Sequence, residues 1–303
     1  MHSGGSGLFP GARSPRGSKD RSLVSNLPSI TLNNGVVMPQ LGFGVWQVPD
    51  DEATATVATA LEAGYRSIDT AAIYENEVGT GKALASSGIA REELFVTTKM
   101  WNSATETWTR EGVLREFDAS LDRLGLDYVD LYLIHWPRAM RDDYVTVYRT
   151  LVEIAAEGRA KAIGVSNFKR PQLERVIADT SVVPAVNQIE LHPNFPQAEL
   201  RAFHAEQGIA TEAWSPLGQG RGLLEDATLA RVAAKHGKSP AQVVLRWHLQ
   251  LGNVAIPKSA TPSRIRENID LAGFELDADD LTAIAGLDTG TRVGPDPDDF
   301  DWN

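Results

Sequence analysis

Four ionisable side chains in this sequence could together protonate a substrate oxygen. Asp69, Lys99 and His135 fall near the ends of three successive apolar segments, and Tyr74 follows Asp69 by five residues. A lysine near a tyrosine hydroxyl favours the phenolate and lowers a pKa that starts near ~10, and an aspartate holds that lysine charged. A tyrosine tuned in this way is a general acid, and a neighbouring histidine can donate a hydrogen bond to the same oxygen.

This set of residues suits protonation of a carbonyl oxygen while another group attacks the carbon. No nucleophile is paired with a base in the pattern, so acyl transfer is poorly served. Each residue also has an ordinary structural interpretation: a turn cap for Asp69, a buried ion pair for Lys99, packing for Tyr74. Their placement at neighbouring strand ends favours the catalytic interpretation.

The elements that would position these residues alternate regularly along the chain. From residue 29 onwards, short apolar segments that predict strands alternate with segments that predict helices, which makes eight strand–helix units. Near-continuous apolar strands are typical of a parallel sheet covered by helices. Eight units in about 275 residues predict an α/β fold of the (β/α)8 TIM-barrel type, whose chemistry lies at the carboxyl ends of the strands.

The two ends of the sequence depart from this alternation. Residues 29–38 form two apolar runs around an Asn-Asn-Gly turn, which predicts an N-terminal β-hairpin that caps the bottom of the barrel. The C-terminal part predicts extra helices followed by an irregular acidic tail. Residues 1–27 are rich in Gly, Ser, Pro and Arg and are expected to be a disordered tail or a remnant of the expression vector, with residues 28–303 as the barrel.

Composition limits the classes of function. The chain has 303 residues, 42% hydrophobic and 23% charged, which is typical of a globular protein. It has no cysteine, which excludes disulfides, thiolate metal sites and a cysteine nucleophile. The net charge of −11 argues against nucleic-acid binding, and no apolar run is long enough to span a bilayer. We therefore expect a cytoplasmic monomer with a small-molecule substrate and no nucleic-acid or membrane partner.

Seven stretches of the sequence, in order, resemble the aldo-keto reductase superfamily. They are GYRSIDTAAIYENEVGTGKAL, LFVTTKMWN, LDRLGLDYVDLYLIHWP, AIGVSNF, VNQIELHP, EAWSPLGQG and IPKSATPSRIRENI. WSPLGQG and the closing RVGPDPDDF resemble the bacterial branch that includes 2,5-diketo-gluconate reductases. The resemblance implies an NADPH-dependent oxidoreductase that reduces small aldehydes and ketones, with keto-sugars and dicarbonyls among the candidate substrates.

The resemblance also implies roles for individual residues. Tyr74 would be the proton donor, Lys99 and Asp69 would tune it, and His135 would orient the substrate carbonyl. Trp214 would stack on the nicotinamide ring. The other residues implied at the cofactor are Gly44, Ser166, Asn167, Gln188, Ser215, Leu217, Lys258, Ser259, Arg264, Glu267 and Asn268. The residues implied in the substrate pocket are Trp46, Trp101 and Trp136.

A cationic cluster would allow this acidic chain to hold a phosphate. Lys258, Arg264 and Arg266 fall within nine residues, in and after the eighth strand, where TIM barrels commonly bind phosphate. In the family pattern Lys258, Ser259 and Arg264 contact the adenosine 2′-phosphate. Glu267 and Asn268 lie at the adenine in the same pattern. The ordinary interpretation is a solvated helix face. No G-x-G-x-x-G motif follows a strand, so the nicotinamide cofactor is inferred from the resemblance.

Two other functions stay open from the sequence. A TIM-barrel hydrolase would use paired carboxylates, and Glu190, at the end of the sixth strand, is a candidate acid without a convincing partner. A cofactor-binding sensor of the same fold would bind NADPH without turnover, which the complete catalytic set disfavours. The six histidines show no H-E-x-x-H spacing, so no metal site is predicted.

Overall fold

Eight parallel strands, hydrogen-bonded in chain order, form the central sheet of the protein. The computed structural model describes residues 1–2, 27–101 and 109–300. The barrel strands are β3 (Phe43–Gly44), β4 (Ser67–Asp69), β5 (Phe95–Met100), β6 (Val129–Ile134), β7 (Ala160–Ser166), β8 (Val186–Glu190), β9 (Ala210–Trp214) and β10 (Val254–Ala255). The sheet closes because Leu41, just before β3, pairs with Ala255 in β10. The predicted (β/α)8 barrel is confirmed.

Ten helices accompany the barrel within the described ranges. They are α1 (Asp50–Ala63), α2 (Glu77–Ser86), α3 (Arg110–Leu124), α4 (Tyr144–Ala156), α5 (Arg170–Thr180), α6 (Ala198–Gln207), α7 (Ala227–His236), α8 (Pro240–Gln250), α9 (Pro262–Ile269) and α10 (Ala278–Ala285). The extra helices predicted near the C-terminus are α7, before α8, and α10, and an irregular segment follows α10 to residue 300. No described helix is both long and apolar enough to cross a bilayer.

Local sequence signals set several helix ends. The Thr109 side chain accepts a hydrogen bond from the Gly112 amide at the start of α3, and Gly125 ends the helix with a φ of 65°. Such a left-handed cap favours glycine. At α8, the Ser239 side chain accepts from the Gln242 amide, and Pro240 occupies the first turn.

The N-terminal hairpin closes the bottom of the barrel, as predicted. β1 (Ser29–Thr31) pairs antiparallel with β2 (Val37–Pro39). In the turn between them, the side-chain amide of Asn33 donates to the Pro184 carbonyl, just before β8, and that of Asn34 donates to the Lys161 carbonyl in β7. The hairpin therefore caps the amino ends of the strands.

The barrel interior is apolar below and polar above. Met38 of the hairpin packs in one buried cluster with Leu131, Leu133 and Val186 from the lower and middle parts of the strands. The buried polar side chains of the upper interior include Asp69, Lys99, Gln188 and Glu212. This division assigns stability to the lower half and leaves the upper half for chemistry.

The first and last barrel strands, β3 and β10, are only two residues long. Hydrogen bonds continue the pairing beyond the short strands, from the Gly42 amide to the Ala255 carbonyl and from the Gly44 amide to the Pro257 carbonyl. Pro257 has no N–H to donate, so the regular ladder stops there. The predicted tail at residues 1–27 lies almost entirely outside the described residues.

Candidate active site

The four predicted catalytic residues meet at the carboxyl end of the barrel. Asp69 ends β4, Lys99 lies near the end of β5, His135 directly follows β6, and Tyr74 ends a short 3-10 turn behind β4. Lys99 Nζ donates to Asp69 Oδ1 at 2.6 Å and to the Thr70 carbonyl at 2.9 Å. The buried lysine is thus held by the strand that leads to Tyr74.

Tyr74 lies between the lysine and the histidine. Lys99 Nζ is 5.1 Å from the centre of the Tyr74 ring. The ring of His135 meets the Tyr74 ring edge-on, with the two centres 5.6 Å apart. The structure therefore brings Tyr74 together with two residues that follow it in the sequence by 25 and 61 positions.

A buried asparagine fixes the turn that carries Tyr74. Asn76 Nδ2 donates to the carbonyls of Val45 and Val48, each at 2.8 Å, and Asn76 Oδ1 accepts from the Thr70 hydroxyl at 2.8 Å. Asn76 is fully buried. These bonds join the Tyr74 turn to the chain after β3, so the phenol has a defined position.

Burial and charge act in opposite directions on the catalytic groups. Burial raises the pKa of Tyr74 above its ordinary value, and Lys99 offsets part of that rise. The expected lowering by Lys99 is therefore present, but the effect of burial is larger. Burial would lower the pKa of Lys99, yet Asp69, with smaller contributions from Tyr74 and Glu212, more than compensates, and that pKa lies above its usual value.

His135 is a neutral imidazole in this environment. Burial, together with the charge of Lys99, holds the pKa of His135 well below its usual range. Its Nδ1 atom is buried and has no hydrogen-bond partner among the described residues. A neutral imidazole carries a single N–H, so it can donate one hydrogen bond to a substrate oxygen.

The predicted nicotinamide residues Ser166 and Asn167 form one hydrogen-bonded cluster with Trp214. Asn167 has a φ of 64°, which turns its side chain back toward the strand ends. Its Nδ2 donates to the His135 carbonyl at 2.9 Å and to Ser166 Oγ at 3.1 Å. The indole N–H of Trp214 donates to Asn167 Oδ1 at 2.7 Å. The loop behind Trp214 carries the partly buried Ser215 and Leu217.

Gln188 connects two carboxyl groups in the upper barrel. Its Nε2 is 2.8 Å from Asp69 Oδ2 and 2.8 Å from Glu212 Oε2. Sequence analysis missed Glu212. The available signal was a carboxylate within the apolar strand Ala210–Trp214, two residues before Trp214. Burial raises the pKa of Glu212 to about 8, with the negative charge of Asp69 adding to the effect.

The predicted substrate pocket is lined by aromatic rings and closed by the C-terminal segment. Trp101 meets the ring of His135 edge-on at 5.3 Å. Phe300 stacks on Trp136, with ring centres 3.8 Å apart and planes 16° apart, and contacts Trp101 edge-on. Trp46 is 42% exposed at the rim. Phe300 was missed because an aromatic residue in an irregular acidic tail carries no periodic signal.

Glu190 holds this C-terminal segment rather than a substrate. Glu190 Oε1 accepts from the Val293 amide and from His192 Nε2, and Oε2 accepts from the Gly294 amide at 3.0 Å. A side chain at Gly294 would collide with Trp214. Because backbone donors occupy both oxygens of Glu190, the hydrolase alternative loses its candidate acid.

The predicted phosphate cluster lies at the start of α9. Lys258 and Arg264 are exposed and form no ion pair with any residue of the described ranges. Ser259 is buried and its hydroxyl oxygen accepts from the Thr261 amide. Asn268 is buried and Glu267 exposed on the same helix.

Gly44, another residue predicted at the cofactor, lies close to the cationic cluster. A Cβ atom at Gly44 would lie 3.2 Å from the Ile256 carbonyl oxygen and 3.9 Å from Lys258 Cβ, so the chain passes close beneath the cationic cluster. Within residues 1–2, 27–101 and 109–300, no group of three or more potential metal ligands occurs.

Comparison with known proteins identifies relatives along most of the chain. The sequence model described as Aldo/keto reductase family matches residues 40–289. An aldo-keto reductase of Mycolicibacterium smegmatis is 54% identical over 275 residues, which are 91% of this chain and 98% of that protein. The methylglyoxal reductase DkgA of Escherichia coli K12 is 51% identical over 278 residues, which are 91% of this chain and 99% of that protein.

Solved structures agree with these sequence matches. The crystal structure of an aldo/keto reductase from Brucella melitensis has a TM-score of 0.83 at 55% identity, covering 87% of this chain and 100% of that chain. A Gox0644 mutant in complex with NADPH has a TM-score of 0.87 at 46% identity, covering 92% and 100%. With identities of this size across nearly the whole barrel, the chain belongs to the aldo/keto reductase family.

Proposed function

We propose that this protein reduces carbonyl groups of small aldehydes and ketones to alcohols, with NADPH as the cofactor and Tyr74 as the proton donor. The observation that carries the proposal is the buried Lys99 ammonium. It is bonded to Asp69 and lies 5.1 Å from the Tyr74 ring, beside the neutral His135. Membership of the aldo/keto reductase family supports the same reaction.

Tyr74 protonates the carbonyl oxygen as negative charge develops on it. The cationic Lys99 stabilises the phenolate left behind, which makes the phenol a stronger acid than burial alone would allow. Asp69 keeps Lys99 charged and aimed. This arrangement serves the transition state, because the phenolate charge exists only once the proton has moved.

His135 orients the substrate. Its neutral imidazole donates one hydrogen bond to the carbonyl oxygen and adds no positive charge that would compete with Lys99. The rings of Trp101 and Trp136 exclude water from the carbon side of the carbonyl. A carbonyl placed between these groups therefore points its oxygen toward Tyr74.

The polar atoms around Trp214 fit a nicotinamide. Asn167 and Ser166 present amide and hydroxyl groups at the strand ends, and both hydrogens of Gln188 Nε2 are used, which leaves its amide oxygen for a carboxamide. Trp214 would offer its flat ring face to the nicotinamide, while its indole N–H donates to Asn167. When bound, NADPH supplies the hydride that reduces the carbonyl carbon.

The exposed cations after β10 fit the adenosine phosphate. Lys258 and Arg264 lie at the amino end of α9 without a carboxylate partner among the described residues. A planar guanidinium binds phosphate with two oxygens, and a helix N-terminus favours an anion. Ser259 would contribute to this site, and Glu267 and Asn268 would hold the adenine. On this arrangement we propose a preference for NADPH over NADH.

Small dicarbonyls are the proposed substrates. Relatives about 50% identical over nearly their whole length are methylglyoxal reductases. The rings of Trp101, Trp136 and Phe300 offer apolar contacts to the carbon chain of a small dicarbonyl. Keto-sugars are the larger alternative, because the sequence resembles the bacterial branch that includes 2,5-diketo-gluconate reductases.

We propose that the enzyme acts as a monomer in the cytoplasm, without nucleic-acid or membrane partners. One chain supplies the whole catalytic set, and the net charge of −11 repels nucleic acid. Light scattering of the purified protein tests the oligomeric state.

The decisive experiment mixes the protein with NADPH and methylglyoxal and follows the absorbance of NADPH. Consumption in the wild-type protein and its loss in Tyr74→Phe support the proposed function. Binding of NADPH without consumption of any reactive aldehyde would instead support a sensor.

A further inference from the structure

Glu212 is a buried carboxyl group beside the catalytic residues that the proposed mechanism does not use. Its side chain lies in the upper barrel and is fully buried. Gln188 Nε2 bridges Glu212 Oε2 and Asp69 Oδ2, at 2.8 Å from each. Asp69 in turn accepts from Lys99 Nζ at 2.6 Å. A continuous chain of hydrogen bonds therefore leads from Glu212 to the ammonium that acts on Tyr74.

The surroundings of Glu212 suit a protonated acid better than a carboxylate. Oε2 accepts one hydrogen bond, and Oε1 has no partner in the described part of the chain. Val254, which pairs with Glu212 in register on β10, brings no charge. An ionised carboxylate with one bare oxygen in a barrel interior is costly, whereas a neutral acid loses much less by burial.

The charge balance around Glu212 points the same way. Asp69 and Lys99 are the charged groups that act on it electrostatically. Lys99 is already paired with Asp69, so a second carboxylate would leave a net negative charge behind Tyr74. That charge raises the pKa of Tyr74 and of Lys99. The ionisation of Glu212 therefore makes Tyr74 a weaker proton donor.

We propose that Glu212 is a positioning residue that sets the upper pH limit of carbonyl reduction, an inference that rests on the function proposed above. Protonated Glu212 leaves Lys99 with a single carboxylate, and Tyr74 gives up its proton readily. When Glu212 releases its proton to solvent, the new negative charge holds the proton on Tyr74. Reduction then slows although the substrate, NADPH and the four catalytic residues are all in place.

The test is the pH dependence of kcat for NADPH-dependent reduction of methylglyoxal by the wild-type protein and Glu212→Gln. Glutamine keeps an oxygen that accepts from Gln188 but cannot ionise. We expect wild-type kcat to fall about three- to tenfold as the pH rises past about 8, and the fall to be missing in Glu212→Gln. The same fall in both proteins would overturn the inference.

Two further variants separate charge from hydrogen bonding. Glu212→Leu removes both the charge and the acceptor, so it also loses the fall with pH even if its activity is lower throughout. Glu77→Gln is the matched control, because Glu77 is another buried carboxylate, bonded to Arg123 outside the site. It should keep the wild-type pH profile. Loss of the fall in Glu77→Gln would contradict a specific role for Glu212.

An infrared measurement checks the proton itself without turnover. At a pH of about 6, the carbonyl band of a protonated carboxylic acid should be present in the wild-type protein and weaker in Glu212→Gln by one group. Identical bands would overturn the inference. Failure of the proposed function would give a different result from failure of this inference. In that case none of the proteins would consume NADPH at any pH, whatever the infrared spectra show.

Discussion

Two buried glutamates on neighbouring strands, Glu190 and Glu212, have opposite surroundings. Both are almost fully buried in the upper barrel. Glu190 accepts two backbone N–H groups and a histidine N–H, with Arg292 3.9 Å away. Glu212 accepts one amide hydrogen and has one oxygen without a partner in the described ranges.

The difference teaches how one fold uses the same side chain twice. Donors around Glu190 replace the water that its side chain loses on burial, and these hydrogen bonds hold the segment that carries Phe300. Glu212 lacks such donors and sits beside Asp69, so it holds a proton instead. The side of the barrel with Glu190 shapes the pocket, and the side with Glu212 serves the proton transfer.

The largest expected effect tests the proton-transfer side. Tyr74→Phe keeps the ring and removes the proton, so we expect kcat for methylglyoxal to fall by about 10²–10⁴-fold, with NADPH still bound. Steady-state kinetics and a fluorescence titration with NADPH measure the two quantities. A mutant that turns over at nearly the wild-type rate would place the general acid elsewhere.

The next effect tests the pocket side. Glu190→Ala leaves the Val293 and Gly294 amides without an acceptor, so we expect the free energy of unfolding to drop by about 1–3 kcal/mol. We also expect KM to rise by a larger factor than kcat falls. Urea unfolding and steady-state kinetics measure these changes. Glu190→Gln retains one acceptor oxygen and should lie between. A change in kcat alone would mean that Glu190 takes part in the reaction step, and the proposed difference from Glu212 would then be wrong.

A third prediction extends the comparison from buried carboxylates to exposed cations. Arg264 has no ion pair in the described ranges, whereas Lys169 on the same end of the barrel is paired with Asp296 and Asp298. Arg264→Ala should weaken NADPH binding about 10- to 100-fold and leave NADH nearly unaffected, because one charge-assisted contact to the 2′-phosphate is lost.

Lys169→Ala is the control for this prediction. Its cation already has carboxylate partners, so the ratio of the two cofactor affinities should stay as in the wild-type protein. Tryptophan fluorescence titrations with both cofactors decide the matter. Equal losses of NADPH and NADH in Arg264→Ala would mean that Arg264 does not contact the phosphate.

A last prediction concerns the dependence of stability on pH, which is small at any one pH step. The pKa of Glu212 is about 8 in the folded protein and has its ordinary value of 4.5 in the unfolded chain. The unfolded chain therefore releases this proton at a lower pH than the folded protein does. The stability that this proton contributes is fully present below the pKa of the unfolded chain. It is lost as the pH rises through the pKa of the folded protein. Relative to Glu212→Gln, the wild-type protein should lose up to ~1.4 kcal/mol per pH unit in between. Urea unfolding at several pH values measures this, and parallel curves would contradict a raised Glu212 pKa.

Sequence patterns predicted the ladder of strands and helices closely, because burial repeats with the period of each element. All eight predicted strand–helix units and the predicted extra helices near the C-terminus are present. The ends of strands also followed from pattern, which placed Asp69, Lys99 and His135 on one rim. Their roles came from resemblance to a family, since a carboxylate or imidazole after a strand has several uses.

Only the tertiary structure decided which of two buried glutamates is surrounded by hydrogen-bond donors. Glu190 and Glu212 look alike in sequence, each a single acid in an apolar strand. Their difference comes from donors 100 residues away, at Val293 and Gly294, and from Asp69 on the other side of the barrel. The same holds for Phe300, whose contact with Trp136 depends on the path of an irregular tail. Protonation and pocket shape depend on contacts between distant segments, and local periodicity carries no record of them.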